Sequence, residues 1–403
     1  MPSRRSLLGR LSAAVGVAAA GCAGLRPPPG LDLPANPHDV PRRQFAQRAH
    51  LREDADGNPL GTRFRRVLLL DLQREPSAEA GRTVERALRT LEDAYDWSPD
   101  GLFHLLAWGT NYLDDHGVLN RVPTDHPTVL SRVDTPELLR FDAALVLESD
   151  VPSHLTAAES ALFGDRAELN GVAVDHRLLD TFARRERRTG FIGEGLPAAH
   201  ADAEGVPADA IPEDAPMFTG FQSGREKTQA SEDRVTIDDG PLEGGTTMHL
   251  SHLTLNLKRW YAFSEASRVK RMFDPETTPD DEAGFTDDVP FADRVEEHAS
   301  EHGMVGHHEK VARVRRDGEP LLLRRDFNTV DGGHPGVHFL AFQRAGKDFR
   351  RTRKSMNGWY LRDDSPDITD SENNGILDVI RVRSRANFVV PPREKRAFPL
   401  TVT

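Results

Sequence analysis

The chain has one cysteine, Cys22, in 403 residues. A single thiol excludes internal disulfides, and it leaves structural zinc without its usual sulfur ligands. Lysine is scarce, at seven of the 52 basic residues, and aromatic residues make up only 7%. A hydrophobic fraction of 37% is lean but still that of a folded protein. Acidic residues outnumber basic ones, 64 to 52, for a formal charge of −12. No basic cluster breaks that acidic background, which argues against nucleic-acid binding. The apolar run from Leu11 to Ala20 falls short of the ~20 residues that span a membrane. Dinucleotide, phosphate-loop, GxSxG and HExxH signatures are all missing, and Gly193-Glu194-Gly195 does not open a helix in the dinucleotide manner.

The N-terminus carries the most specific signal that is present. Ser3-Arg4-Arg5-Ser6-Leu7-Leu8 is a twin-arginine pattern, and Ala19-Ala20-Gly21-Cys22 resembles a lipobox. The sequence therefore predicts a twin-arginine lipoprotein signal over 1–21 and export in the folded state. Acylation of Cys22 would tether the chain to the outer face of the cell membrane, with no other membrane contact. Cleavage before Cys22 removes Arg4, Arg5 and Arg10, leaving 49 basic against 64 acidic residues, net −15. An acidic surface with Arg in place of Lys resembles the proteins of salt-loving archaea, where charge keeps a protein hydrated although salt screens repulsion. Pro27-Pro28-Pro29-Gly30 and the polar residues after it read as a stalk over 22–61.

Beyond the stalk the apolar periodicity alternates between strand and helix. Phe64 to Leu72 reads as a strand, and Glu79 to Tyr95 as a helix with Val84, Ala87, Leu88 and Leu91 on one face. Strands over 102–113 and 140–148 and a helix from Ser153 follow. This strand–helix–strand–strand–helix order is that of a ferredoxin-like unit. The second half predicts a strand over 244–257, helices over 260–273 and 291–301, and a strand over 336–342. A helix over 348–356 and strands over 376–380 and 386–390 complete it. The expectation is an α+β fold of two ferredoxin-like domains with antiparallel sheets, bounded at 62–195 and 196–403.

The stretch Gly303 to Thr329 organises the second half. His307 and His308 sit in a Gly-flanked turn, and Leu321-Leu322-Leu323 reads as a buried strand that delivers Arg324 and Arg325. Imidazole binds metals and guanidinium holds anions, so the unit suits a ligand site. A surface turn followed by a solvated basic strand end fits the same residues. His298 and His302, at i, i+4, add two imidazoles nearby. Asp378, between Leu377 and Val379, is an acid in an apolar frame. It either faces solvent at an edge or holds a buried cation or imidazole.

Taken in order, several motifs from Gly190 to Pro391 resemble those of the dye-decolourising haem peroxidases, including the exported, iron-related branch called deferrochelatases. They are the Gly-rich loop 190–197, Met217-Phe218-Thr219-Gly220-Phe221, the His turn, Leu323-Arg324-Arg325-Asp326-Phe327, His338-Phe339-Leu340-Ala341-Phe342 and Ile376-Leu377-Asp378-Val379-Ile380. The resemblance implies two ferredoxin-like domains, a haem b cofactor, and hydrogen peroxide as oxidant with an unidentified reductant. It is compatible with a homo-oligomer. It places the axial iron ligand at His307, 17 residues before Arg324, with His308 as the alternative. It assigns Asp378 to the ligand's second ring nitrogen, and Arg324 to charge on the peroxide oxygens. The family's distal acid, in a Gly-x-x-Asp-Gly loop, is matched here only by Glu194, in a loop one residue longer. Haem binding is thus better supported than turnover, and a haem-binding or iron-acquisition lipoprotein with little peroxidase activity is the competing reading.

Overall fold

The computed structural model describes residues 40–207 and 210–401. The twin-arginine pattern, the lipobox and Cys22 lie outside the described residues. The first half runs β1 (Phe64–Leu72), α1 (Ala78–Ala94), β2 (Phe103–Gly109), α2 (Thr110–Asp115), β3 (Ala143–Ser149), α3 (Pro152–Phe163) and β4 (Phe182–Phe191). Its strands are hydrogen-bonded in the order β4-β1-β3-β2, the ferredoxin-like order.

The second half runs β5 (Thr246–Leu255), α4 (Leu257–Ala262), α5 (Glu265–Met272), α6 (Val295–His302) and α7 (His307–Ala312). It continues with β6 (Leu323–Arg324), β7 (Phe327–Thr329), β8 (Gly336–Gln343), α8 (Gly346–Asn357) and β9 (Ile380–Val390). The order β9-β5-β8-β7 repeats that of the first half. The two sheets then join at both ends. Asn328 of β7 pairs with Phe191 of β4, and Phe388 and Val389 of β9 pair with Gly109 and Trp108 of β2. Eight strands close into one hydrogen-bonded ring.

The ring explains why β1 is apolar at consecutive positions. Val67 and Leu69 point into the ring with Val146, Met248, Phe342 and Phe388, whereas Leu68 and Leu70 pack outward under α1 and α3. A strand covered on both faces has no polar side to present. Each Leu or Val buried this way contributes roughly 1.5–3 kcal/mol. Inside the ring two arginines share one carboxylate: Arg65 Nε lies 2.7 Å from Glu148, and Arg325 lies 3.7 Å from it.

Several elements differ from the sequence expectation. The strand expected over 102–113 stops at Gly109, where a Cβ would stand 2.0 Å from the Phe141 carbonyl, and α2 follows. The helix expected over 260–273 is two helices, since Ser264 caps a new one by accepting from Ser267 N. Leu321 and Leu322 lie in an apolar cluster with Phe349 and only Leu323 and Arg324 pair with β8, so the Leu run is not a full strand. Residues 376–379 form turns rather than a strand, and β9 starts at Ile380.

Candidate functional site

In the first half the space between sheet and helices is filled by an apolar core. The corresponding space in the second half holds a cavity of about 250 Å³. Alternation along the strands determines its floor. Met248 and Leu250 of β5 point into the ring, so Ser251, Leu253 and Leu255 are left to face the cavity with Val337 and Phe339 of β8. Met272 and Phe273 at the end of α5, His307 and His308 of α7, and Met356 of α8 form the opposite wall.

The two histidines open a helix rather than sit in a turn. Gly306 precedes them, and a Cβ at that position would lie 1.9 Å from the Phe273 carbonyl, so only glycine lets the chain cross the end of α5. Glu309 Oε1 accepts from Gly306 N at 2.6 Å and closes the first turn. Its other oxygen lies 2.7 Å from His298 Nδ1. Lys310 is fully buried, and its Nζ donates to the carbonyls of Met356 and Asn374, each at 2.9 Å, which ties α7 to α8.

Burial, with Lys310 and Arg324 nearby, holds the His307 imidazole well below its ordinary pKa, so it is neutral. Its Nδ1 is buried and has no hydrogen-bond partner among the described residues. Burial likewise pushes His308 down to about 4, but its ring is bonded to the backbone of Val289. His308 Nε2 is also buried and unpartnered. His298 and His302 do not join them: their rings contact each other at 5.9 Å, and His298 is held by Glu309. Among the described residues, no three His, Cys, Asp or Glu side chains are arranged to hold a metal ion.

Arg324 lies in the cavity wall. Gln229 clamps its backbone, accepting from Arg324 N at 2.7 Å and donating to its carbonyl at 3.2 Å. The only side-chain contact found for its guanidinium is Thr228 Oγ1 at 3.4 Å, and no carboxylate pairs with it among the described residues. Arg325 points the other way, into the ring, where Glu148 neutralises it. Asp326 returns to the cavity face and accepts from Ser223 Oγ at 3.2 Å. A second pocket of about 590 Å³ shares Ser223, Arg315, Arg324 and Asp326 in its wall, so the Arg–Asp pair stands between an apolar and a polar compartment. Asp326 was missed from sequence, although a period of two from Arg324 marks it.

Two expected site residues are elsewhere. Glu194 is exposed and lines neither pocket. Its loop folds back, with Leu196 N bonded to Gly193 O at 3.2 Å and Leu196 buried beside Phe218, which leaves Glu194 facing outward. Asp378 also faces away from the cavity. Leu377 and Val379 are buried beside Trp260, and the carboxylate between them meets Arg259 of α4 at 2.7 Å. It therefore does not hold His307.

The fold is that of the DyP-type peroxidases. A dye-decolorizing protein from V. cholerae is 17% identical, with 87% of this chain and 99% of that chain covered and a TM-score of 0.54. A DyP-type peroxidase from Cellulomonas bogoriensis is also 17% identical, covering 89% and 96%, with a TM-score of 0.57. A Rhodococcus jostii DypB variant in complex with heme is 14% identical, covering 84% and 96%, with a TM-score of 0.53. No curated protein matches the chain. Residues 62–392 match DUF7405, a family of unknown function, and the chain belongs to that family.

Proposed function

We propose that the cavity takes haem b, which His307 would hold through its imidazole, and that the protein reduces hydrogen peroxide there while oxidising an electron donor. One observation carries this reading: a single apolar cavity joins a neutral imidazole with no ring partner at Nδ1 to a guanidinium that no carboxylate neutralises. The fold shared with DyP-type peroxidases supports it. The residues fit such a group, because orphaned buried ring nitrogens at His307 and His308 are what a missing ligand leaves behind.

Bound haem supplies a redox-active iron. The chain's residues supply the rest. His307 is kept neutral by burial, so a nitrogen lone pair is available. Arg324 faces the cavity as a fixed cation, suited to negative charge developing on a departing oxygen. Asp326, two residues on, is placed to take a proton from entering peroxide and return it to the leaving oxygen. The polar pocket on the far side of the pair is the route for small polar reactants.

The second reading, a haem-binding or iron-acquisition lipoprotein with little turnover, is favoured by the position of Glu194 outside the cavity. The absorption spectrum of the purified protein tests both, since a chain without a Soret band supports neither. Stopped-flow mixing with peroxide then separates them: a prompt spectral change supports the peroxidase, and an inert spectrum the binding protein.

The N-terminal motifs support export by the twin-arginine route and attachment through Cys22. Changing Arg4 and Arg5 to Lys is expected to retain the protein in the cytoplasm, and Cys22→Ser to release it from the membrane. Export of the Lys–Lys variant would end this proposal.

A further inference from the structure

β9 carries arginines at three alternate positions, Arg381, Arg383 and Arg385. Plain alternation would put all three on one face. They do not share one. Arg381 and Arg383 are exposed, whereas Arg385 is only 1% exposed. The pairing with β5 explains the change. Leu253 faces Val382 and His252 faces Ser384, so Arg383 is an extra residue, and Arg385 then pairs with Ser251. Ser251 is a cavity residue, and the bulge turns Arg385 onto the same side. Bulges of this kind re-aim a side chain beside a functional site.

Once inside, Arg385 is not neutralised. Its Nε and Nη1 are buried without a partner among the described residues, and no carboxylate pairs with it. Asp134, whose charge reaches it, is committed to Arg353 at 3.3 Å and to Val382 N at 3.1 Å. Phe349 offers only its ring, 5.7 Å from the guanidinium carbon. Burial and the Arg353 charge push Arg385 down to about 9, still protonated at neutral pH. A buried cation with open donors, turned into an apolar cavity by a bulge, lacks its anion.

We propose that Arg385 anchors a carboxylate of the ligand that fills the cavity. For the ligand's identity this rests on the haem reading, under which the carboxylate is a porphyrin propionate. An amphipathic carboxylic acid would present the same chemistry.

The test is to titrate iron protoporphyrin IX and its dimethyl ester into the full chain and into Arg385→Met. The wild-type chain is expected to prefer the diacid by about 10- to 100-fold, the range of a charge-assisted hydrogen bond. Arg385→Met is expected to lose that preference while binding the ester as wild type does. Its ligand-free form should melt no lower than wild type, because an uncompensated cation has been removed. A lower melting temperature would instead mark a purely structural arginine. Equal wild-type affinity for acid and ester overturns the proposal even if the variant fails to fold, as does a preference that survives in Arg385→Met. If neither porphyrin binds, the haem reading falls, and dodecanoic acid and its methyl ester take their place. A preference for the acid that depends on Arg385 then upholds the anchor, and no preference refutes it.

Discussion

Asp378 Oδ2 lies 2.9 Å from Nε and 2.7 Å from Nη2 of Arg259, and the pair holds the carboxylate away from the cavity histidines. An imidazole that ligates iron is usually made more basic by an acceptor on its second nitrogen. His307 has no such acceptor among the described residues, so it is a weaker donor than a carboxylate-held histidine.

His307→Ala is therefore expected to abolish or strongly weaken haem retention, while His308→Ala, whose ring Val289 already engages, is mild. Asp378→Asn is expected to leave retention unchanged and to cost no more than about 1 kcal/mol of stability, since Arg259 is half exposed. Haem content after gel filtration and urea midpoints check these outcomes. The reverse ranking of the two histidines would move the ligand by one residue.

On the peroxide side, Arg324→Leu and Asp326→Asn are each expected to slow the first spectral change after mixing with peroxide. For Asp326 the loss is about 10²–10⁴-fold, the usual contribution of a positioned acid–base group. Glu194→Gln, on an exposed loop, is expected to match wild type. A slow Glu194→Gln beside a normal Asp326→Asn would return the acid to the loop.

His249 provides a pH test. Its ring lies 2.7 Å from Asn387 and 2.6 Å from Ser251, and burial, reinforced by Arg385, pushes its pKa from 6.5 down to about 3. Between those values the unfolded chain binds a proton that the folded chain refuses. This contribution is whole above pH 6.5 and is lost as pH falls toward 3, at about 1.4 kcal/mol per pH unit. In His249→Gln the fall in melting temperature between pH 6.5 and 4 should be shallower than in wild type. Parallel curves would show that the ring does not titrate this way.

Much of this architecture was legible in the sequence because local patterns determine it. The apolar periodicity of 64–72 and 79–95 marked β1 and α1. The ordered motifs from Gly190 to Pro391 carried the resemblance to the DyP-type fold. What stayed hidden depends on distant partners. Glu194 was tied to catalysis by its neighbours in sequence, yet Leu196, buried beside Phe218, sets the direction of its loop. Asp378 was tied to an imidazole, but Arg259, 119 residues away, is the cation that reaches it. Arg385 is not marked by alternation, because one extra residue in β9 reverses the face it occupies.

The ring of strands bears on how the chain can be divided. Cut between β4 and β5, it would yield two pieces, each with two bare strand edges whose matching edges exist only on the other piece. Each fragment would carry the address of its counterpart in its backbone. Co-expressed halves are expected to reassemble and copurify, and either half alone to aggregate. The chain is in effect a heterodimer joined by a tether, so a split inside 210–245 is the natural place to make assembly conditional on both pieces being present.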